Sequence, residues 1–202
     1  MSKIEDTSYQ LNHRAFVILG LISETSMQGG CHAYSIDQKI DERGMRNWTE
    51  IGKSSIYDIV KKLEENGLVE SYSKEVDGRI RKMYTMTHTG FKVLREKVYK
   101  VIAEFRGRRD PDYDVALSMY TMIPKEMRIE AFKKSLEVIE REFEMLKKQE
   151  EISRQKALEQ MGMYPLSIEV LFVRSYKIMQ SHIEFIEWMI EKIPEDEAPW
   201  AK

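Results

Sequence analysis

Six polar side chains sit close together at Ser54, Ser55, Tyr57, Asp58, Lys61 and Lys62, and three cationic ones follow at Arg79, Arg81 and Lys82. Their chemistry is that of binding. Hydroxyls and ammonium or guanidinium groups donate to phosphate oxygens and to base edges, and a carboxylate such as Asp58 accepts from the exocyclic amine of cytosine. Nothing proposes catalysis. His13, His32, His88 and His182 are scattered, Cys31 beside His32 lacks further metal ligands, and there is no glycine-rich phosphate loop, nucleophile elbow or carboxylate pair in a recognisable frame. The sequence therefore calls for no metal, no cofactor and no enzymatic activity.

The elements that position these groups are legible around them. Ile56, Ile59, Val60 and Leu63 recur at helical spacing, so a helix over about 53–66 buries them and turns the serines, Tyr57, Asp58 and the lysines outward. Ser54 or Ser55 is placed to cap its start, and Asn66-Gly67 to supply the left-handed residue that ends it. Two β-prone runs follow, joined by Asp77-Gly78, a pair suited to a two-residue hairpin turn. Pairing outward from that turn sets Lys74 opposite Arg81 and Ser73 opposite Lys82, which makes the tip cationic. A polar-fronted helix followed at once by a basic hairpin is the order of a winged helix-turn-helix, whose helix enters a DNA major groove while the wing lies along the backbone. On that reading Tyr57 and Lys62 touch backbone, and Ser54, Ser55, Asp58 and Lys61 lie nearer the bases. The plainer reading of the same residues is a solvated helix face and hairpin tip.

Upstream, the nearly unbroken apolar run from Leu11 to Ile22 predicts a helix buried on several sides, and Tyr34, Ile36 and Ile40 predict a second, with Trp48 in a short connector. Downstream, Phe91, Leu94, Val98, Val101 or Ile102, and Phe105 predict a further helix. The turn-prone stretch at 106–112 marks a boundary between a winged helix-turn-helix domain over 1–108 and a helical domain over 109–202. In the latter, Val115 and its neighbours suggest a short helix, and Pro124 suits the first turn of the next. Ile129, Phe132, Leu136, Ile139, Phe143 and Leu146 then form a heptad seam that Gly162 and Pro165 close, and Phe172, Tyr176, Met179, Ile183, Ile186, Ile190 and Ile193 form another. The fold class is thus mainly α with one small β-hairpin. Two such seams expose more apolar surface than one helical hairpin hides. Either a second copy covers them, making Ile129 to Phe143 and Phe172 to Ile190 a homodimer interface, or they fold back on the winged domain.

The chain of 202 residues is 42% hydrophobic and 33% charged, which excludes disorder. One cysteine excludes an intramolecular disulfide framework, and the polar opening residues with no long apolar run point to a cytoplasmic protein with no membrane partner. The net charge of −2 is unevenly spread: residues 1–110 carry 19 Lys/Arg against 16 Asp/Glu, and 111–202 carry 13 against 18. Ten basic residues fall within 79–109, opposed only by Glu96 and Glu104. A local basic patch of that kind neutralises phosphates whatever the total charge.

The stretches HAYSI (His32 to Ile36), Trp48, SSIYDIVKKLEENGLVE (Ser54 to Glu70) and RIRKMYTMTHTG (Arg79 to Gly90) resemble, in order and spacing over about residues 10–105, the PadR family of transcriptional regulators. The resemblance implies a dimer clasped by its C-terminal helices. It also implies a repressor released by a small and often aromatic effector bound between winged domain and tail, and the two-fold symmetry of such a dimer predicts a roughly palindromic double-stranded operator. Two positions depart from the family pattern: Asp58 stands where proline is usual, and Ala33 where glycine is usual. An acidic Asp58 must either face a base edge or be held by Lys61 or Lys62.

Tyr34, Trp48 and Trp188 are the aromatic candidates to line an effector cavity. For Tyr34 and Trp48 the competing reading is core packing, for Trp188 the edge of the dimer contact, and Trp200 lies in a proline-rich acidic tail. A different class of function is a winged-helix protein-interaction module that binds no DNA. Cys31 would sense oxidants only if exposed with a lowered pKa.

Overall fold

The computed structural model describes residues 10–49, 51–76 and 78–195, so Asp77 of the expected turn, Trp200 and the first nine residues lie outside the described residues. The chain divides into two compact units, Met1–Lys97 and Val98–Lys202. The division falls inside a helix, ahead of the turn at 106–112 where composition suggests it.

In the first unit, α1 (His13–Ser26) is capped by Asn12, whose Oδ1 accepts from the Ala15 N–H at 3.0 Å, and its residues Ala15 to Ile22 are all buried, as the apolar run predicts. Then come α2 (Ala33–Glu42), the short α3 (Arg46–Thr49), α4 (Lys53–Glu65), strands β1 (Val69–Val76) and β2 (Arg79–Met86), and the start of α5 (His88–Ala103). Phe16, Ile18, Leu19, Ile22, Ile36, Ile40, Ile56 and Leu63 share one fully buried core. Gly67, at φ +68°, ends α4 and lets the Leu68 N–H return to the Leu63 carbonyl at 2.9 Å.

The strands pair antiparallel with Lys74 opposite Arg81 and Ser73 opposite Lys82, the expected register. Met83, Tyr84 and Met86 are buried at the base, while Ile80 near the tip is 81% exposed. The α1–α2 loop seats itself on this hairpin through a one-residue bridge. Cys31 N–H donates to the Tyr84 carbonyl at 3.0 Å, and the Tyr84 N–H donates back at 2.7 Å.

In the second unit, the end of α5 buries Val98, Val101 and Ile102. Asp110 caps α6 (Pro111–Ser118) by accepting from the Asp112 N–H at 2.9 Å, and Pro111 takes the first turn. The short helix expected here breaks at Met119 into a 3-10 turn (Tyr120–Met122), and the buried Arg128 donates to the Ile123 and Thr121 carbonyls, each at 2.7 Å. Two long antiparallel helices follow, α7 (Lys125–Met161) and α8 (Leu166–Lys192), joined through Gly162 at φ +68°.

The two seams meet each other. Phe132, Ile139 and Ile186 are fully buried and Met179 nearly so within the single chain. Phe143 meets Tyr176 edge-on at 5.4 Å, and the Tyr176 hydroxyl donates to Glu150 at 2.6 Å. Ile129, Leu136, Phe172, Ile183 and Ile190 are half-buried beside them. Of the seam residues that heptad spacing assigns to a second copy, Phe132, Ile139, Met179 and Ile186 are buried inside one chain and the rest half-buried, and the most exposed apolar side chains are others: Met145, Ile152, Met161, Leu166, Leu171 and Trp188. Among the described residues no helix is long and apolar enough to cross a membrane.

Candidate nucleic-acid interface

The polar helix is held from behind and beneath. Arg46 in α3 ion-pairs with Asp37 and Asp41 of α2, and its Nη1 donates to the Ile51 carbonyl at 2.6 Å, just ahead of α4. One guanidinium therefore ties α2 and α3 to the start of α4. Asp37 is only 8% exposed, and Lys53 at the start of α4 stands 3.8 Å from its second oxygen. Burying Ile56, Val60 and Leu63 then fixes the rotation of α4.

That rotation turns Ser54, Tyr57, Asp58, Lys61 and Lys62 to solvent, with Tyr57 60% exposed and Ser55 half-buried. Two details differ from the sequence reading. Neither serine caps the helix: the N-cap is Gly52, which makes no side-chain bond, and Ser55 Oγ instead donates to the Gly52 carbonyl at 2.6 Å. A serine inside the first turn reaches back to a carbonyl more readily than forward to an amide. Ile59 is only half-buried. Lys61 lies 3.8 Å from Glu65, and Asp58 has no ion-pair partner among the described residues.

On β2, Arg79 is exposed at the tip. Lys82 is tied to Glu64 of α4 at 2.8 Å and lies 5.3 Å over the Tyr84 ring. The Lys82 ammonium, then the Ser71 hydroxyl, hold the Glu64 carboxyl below the usual carboxylate range, and the same bond raises Lys82. Between α2, α4 and β2 runs a groove of about 190 Å³ lined by His32, Tyr34, Tyr57, Arg81, Lys82 and Tyr84. Tyr34 is 52% exposed there, its ring near-parallel to His32 at 6.2 Å, so core packing is not its role. The Nη1 of Arg81 stands 3.5 Å from His32 Nε2, and its Nε is buried with no hydrogen-bond partner among the described residues.

His32 and Tyr84 are groove residues that the sequence reading does not select. The signals for His32 are its place just ahead of α2 and in the HAYSI stretch, and its neighbour Arg81 comes far later in the chain.

Of the aromatic candidates in the first unit, Tyr34 lines the groove and Trp48 does not. Trp48 is 42% exposed on α3, which also rules out core packing. Trp188, in the second unit, is 52% exposed beside Phe185 at 6.2 Å. That unit holds a separate cavity of about 420 Å³ lined by Arg108, Arg109, Glu142, Arg174, Ile178 and His182 among others, to which Trp188 does not contribute. Burial pushes the Cys31 thiol up, opposite to what an oxidant sensor needs. No group of three or more metal-ligating side chains occurs among the described residues.

No curated protein matches this sequence. Among solved structures, Bacillus subtilis PadR in complex with operator DNA is similar at 16% identity and a TM-score of 0.38, over 90% of this chain and 99% of that one. The same protein in complex with p-coumaric acid gives 17% identity and 0.35 over 93% and 100%. The PadR-like transcriptional regulator BC1756 from Bacillus cereus gives 16% and 0.36 over 92% and 98%. The assignment rests on the family match, which takes in α2, α4, both strands and most of α1. Residues 18–96 match the model of the transcriptional regulator PadR-like family.

Proposed function

We propose that this protein is a homodimeric, sequence-specific regulator that binds double-stranded DNA through α4 and the wing and represses transcription. The observation that carries the reading is the groove in which Tyr57 of α4 meets Arg81 and Lys82 of β2. A reading helix and a backbone-contacting wing thereby offer one continuous donor-rich surface. Tyr57, Lys62, Arg79, Arg81 and Lys82 take phosphates, and Ser54, Ser55, Asp58 and Lys61 lie nearer the base edges. Asp58, with no ion-pair partner among the described residues, suits a cytosine amine.

Dimerisation is supported by the apolar side chains that the α7–α8 hairpin leaves in water, among them Met161 at 62%, Leu166 at 69% and Leu171 at 64%. A two-fold dimer reads an inverted repeat. Release by an effector is the part of the proposal that the family resemblance supports. The arginine-lined cavity of the second unit has the chemistry for an organic anion, and an aromatic carboxylate titrated into the protein–duplex complex tests that.

The test of the main reading is duplex affinity against salt. Binding that falls steeply with salt, and weakens in Lys61→Ala and Arg81→Ala, is the expected result. No duplex binding at low salt would leave a protein-interaction module in its place.

A further inference from the structure

Phe105 anchors the loop between α5 and α6 in the second unit. It is buried, stacks on Tyr113 with ring centroids 3.6 Å apart and meets His182 of α8 edge-on, while its carbonyl accepts from the buried Ser135 hydroxyl of α7 at 3.4 Å. Two residues on, Gly107 at φ +68° lies flat against the helical hairpin, where a Cβ would stand 3.4 Å from Ile139 and 3.6 Å from Met179. At the far end Asp110 caps α6. A loop pinned at three points thus carries Arg106, Arg108 and Arg109. Arg108 and Arg109 line the cavity of about 420 Å³ together with Glu142 of α7 and Arg174 of α8, and Leu146, Ile178 and Met179 supply its apolar part. That volume suits a small organic ligand.

The charges around this cavity do not balance. Glu142 is half-buried and shared by Arg108 at 3.2 Å and Arg106 at 3.8 Å, whereas Arg109 and Arg174 have no ion-pair partner among the described residues. His182 adds no charge near neutral pH, since burial holds its pKa down, and the Ser175 hydroxyl already donates to the Leu171 carbonyl at 2.8 Å. Three lining guanidiniums against one carboxylate leave two positive charges, on groups whose forked N–H donors match carboxylate and phosphate oxygens. We propose that this cavity binds a small organic dianion with a short apolar body. Its two negative charges meet Arg109 and Arg174, Arg108 adds a donor while Glu142 holds it in place, and the body lies on Leu146 and Ile178. Dicarboxylates and phosphate monoesters share this chemistry. The site deepens the effector part of the reading above, on which it rests for its purpose but not for its occupancy.

The experiment is calorimetric titration of the full-length protein, without DNA, at neutral pH and low salt. Isophthalate and phenyl phosphate serve as dianions, benzoate as the monoanion and benzamide as the neutral control. At least one dianion should bind once per chain and about tenfold or more tighter than benzoate, the factor that one extra charge-assisted contact supplies, and benzamide should not saturate. The better of the two dianions tells dicarboxylate from phosphate ester. Arg109→Gln and Arg174→Gln should each weaken the dianion by about tenfold, while Arg141→Gln, an exposed arginine outside the cavity, should not. Arg109 and Arg174 are exposed, so their variants should melt with the wild type. The proposal is overturned if neither dianion outbinds benzoate, or if Arg109→Gln and Arg174→Gln bind the dianion as the wild type does. A dianion that binds in the expected pattern and yet leaves the protein–duplex complex intact at saturation would establish the site and remove the effector reading.

Discussion

Gly90, in the first turn of α5, stands so close to Leu68 that a Cβ built on it would lie 2.0 Å from the Leu68 carbonyl oxygen. That oxygen cannot withdraw, because it accepts from the Thr87 N–H at 3.1 Å. Thr87 completes the joint: its Oγ1 accepts from the Gly90 N–H at 3.0 Å and donates to the Gly67 carbonyl at 2.6 Å. The Thr-x-x-Gly element is thus a weld between the C-terminus of α4, the foot of the hairpin and the start of α5. Gly90→Ala should destabilise the protein by about 2–3 kcal/mol, the cost of forcing an atom into closed packing. Thr87→Val, which removes the cap but keeps the volume, should cost about 1 kcal/mol. Urea midpoints at constant m-value measure both, and a Gly90→Ala protein as stable as the parent would refute the close approach.

Glu64 holds back part of the proposed interface. Its carboxylate engages Lys82 at 2.8 Å and also accepts from Ser71. Glu64→Gln removes a negative charge beside the wing and releases the lysine while keeping a hydrogen-bonding group for Ser71. Duplex affinity should rise by about threefold or more at low salt, and the salt slope should steepen by up to about one as Lys82 becomes free to meet a phosphate. Unchanged affinity and slope would place Lys82 outside the DNA contact.

Asp37 carries the turn of the helix-turn-helix. It is 8% exposed and ion-paired to Arg46, which in turn holds the Ile51 carbonyl. Asp37→Ala removes one of that guanidinium's two carboxylate partners, and a loss of about 2 kcal/mol is expected from a charged hydrogen bond of this kind. Asp37→Asn, which keeps an acceptor, should recover part of it. Chemical denaturation of the two variants side by side decides the matter.

What the sequence discloses depends on how local the cause is. The stripe Ile56, Val60, Leu63 and the pairing of Lys74 with Arg81 follow from helical period and from one turn, so they are readable from neighbours alone. Period tells that a face is buried but not against what. The seams of α7 and α8 therefore look like a dimer contact when they close on each other, with Ile139 and Ile186 both fully buried in one chain. Tyr34 shows the reverse case: its spacing with Ile36 and Ile40 suggests a core position, but α2 starts at Ala33 and turns its first-turn tyrosine to the groove. The His32–Arg81 approach is invisible in sequence because the fold brings the two together across 49 positions.

Burial lowers the pKa of His182, with Asp114 opposing only in part; its ring meets Phe105 edge-on at 4.9 Å. The sign of the effect follows. Above the unfolded-state value of about 6.5 both states are neutral and stability is level. As pH falls from there toward the lower folded value, the unfolded chain takes up a proton that the folded ring resists, and stability is lost. The urea midpoint should therefore drop between pH 7.5 and pH 5.5. His182→Leu should flatten that part of the profile, whereas a profile identical to the wild type would show that His182 does not titrate in this window.

The burial pattern of the helical hairpin separates folding from assembly. Ile139 is fully enclosed, so Ile139→Ala should cost about 2–5 kcal/mol of stability through lost contacts and the cavity left behind, without selectively dissociating a dimer. Met161 and Leu171 are 62% and 64% exposed, and in a single chain their replacement by glutamate should leave stability within about 0.5 kcal/mol. If these residues face a second copy, the double variant Met161→Glu, Leu171→Glu buries unpaired charge in the contact and shifts the mass measured by light scattering from dimer to monomer. Duplex affinity should fall with it, since each monomer then reads a half-site alone. A variant that remains dimeric with unaltered affinity would move the contact elsewhere on the chain, and a wild type monomeric at micromolar concentration would exclude the two-fold reader altogether.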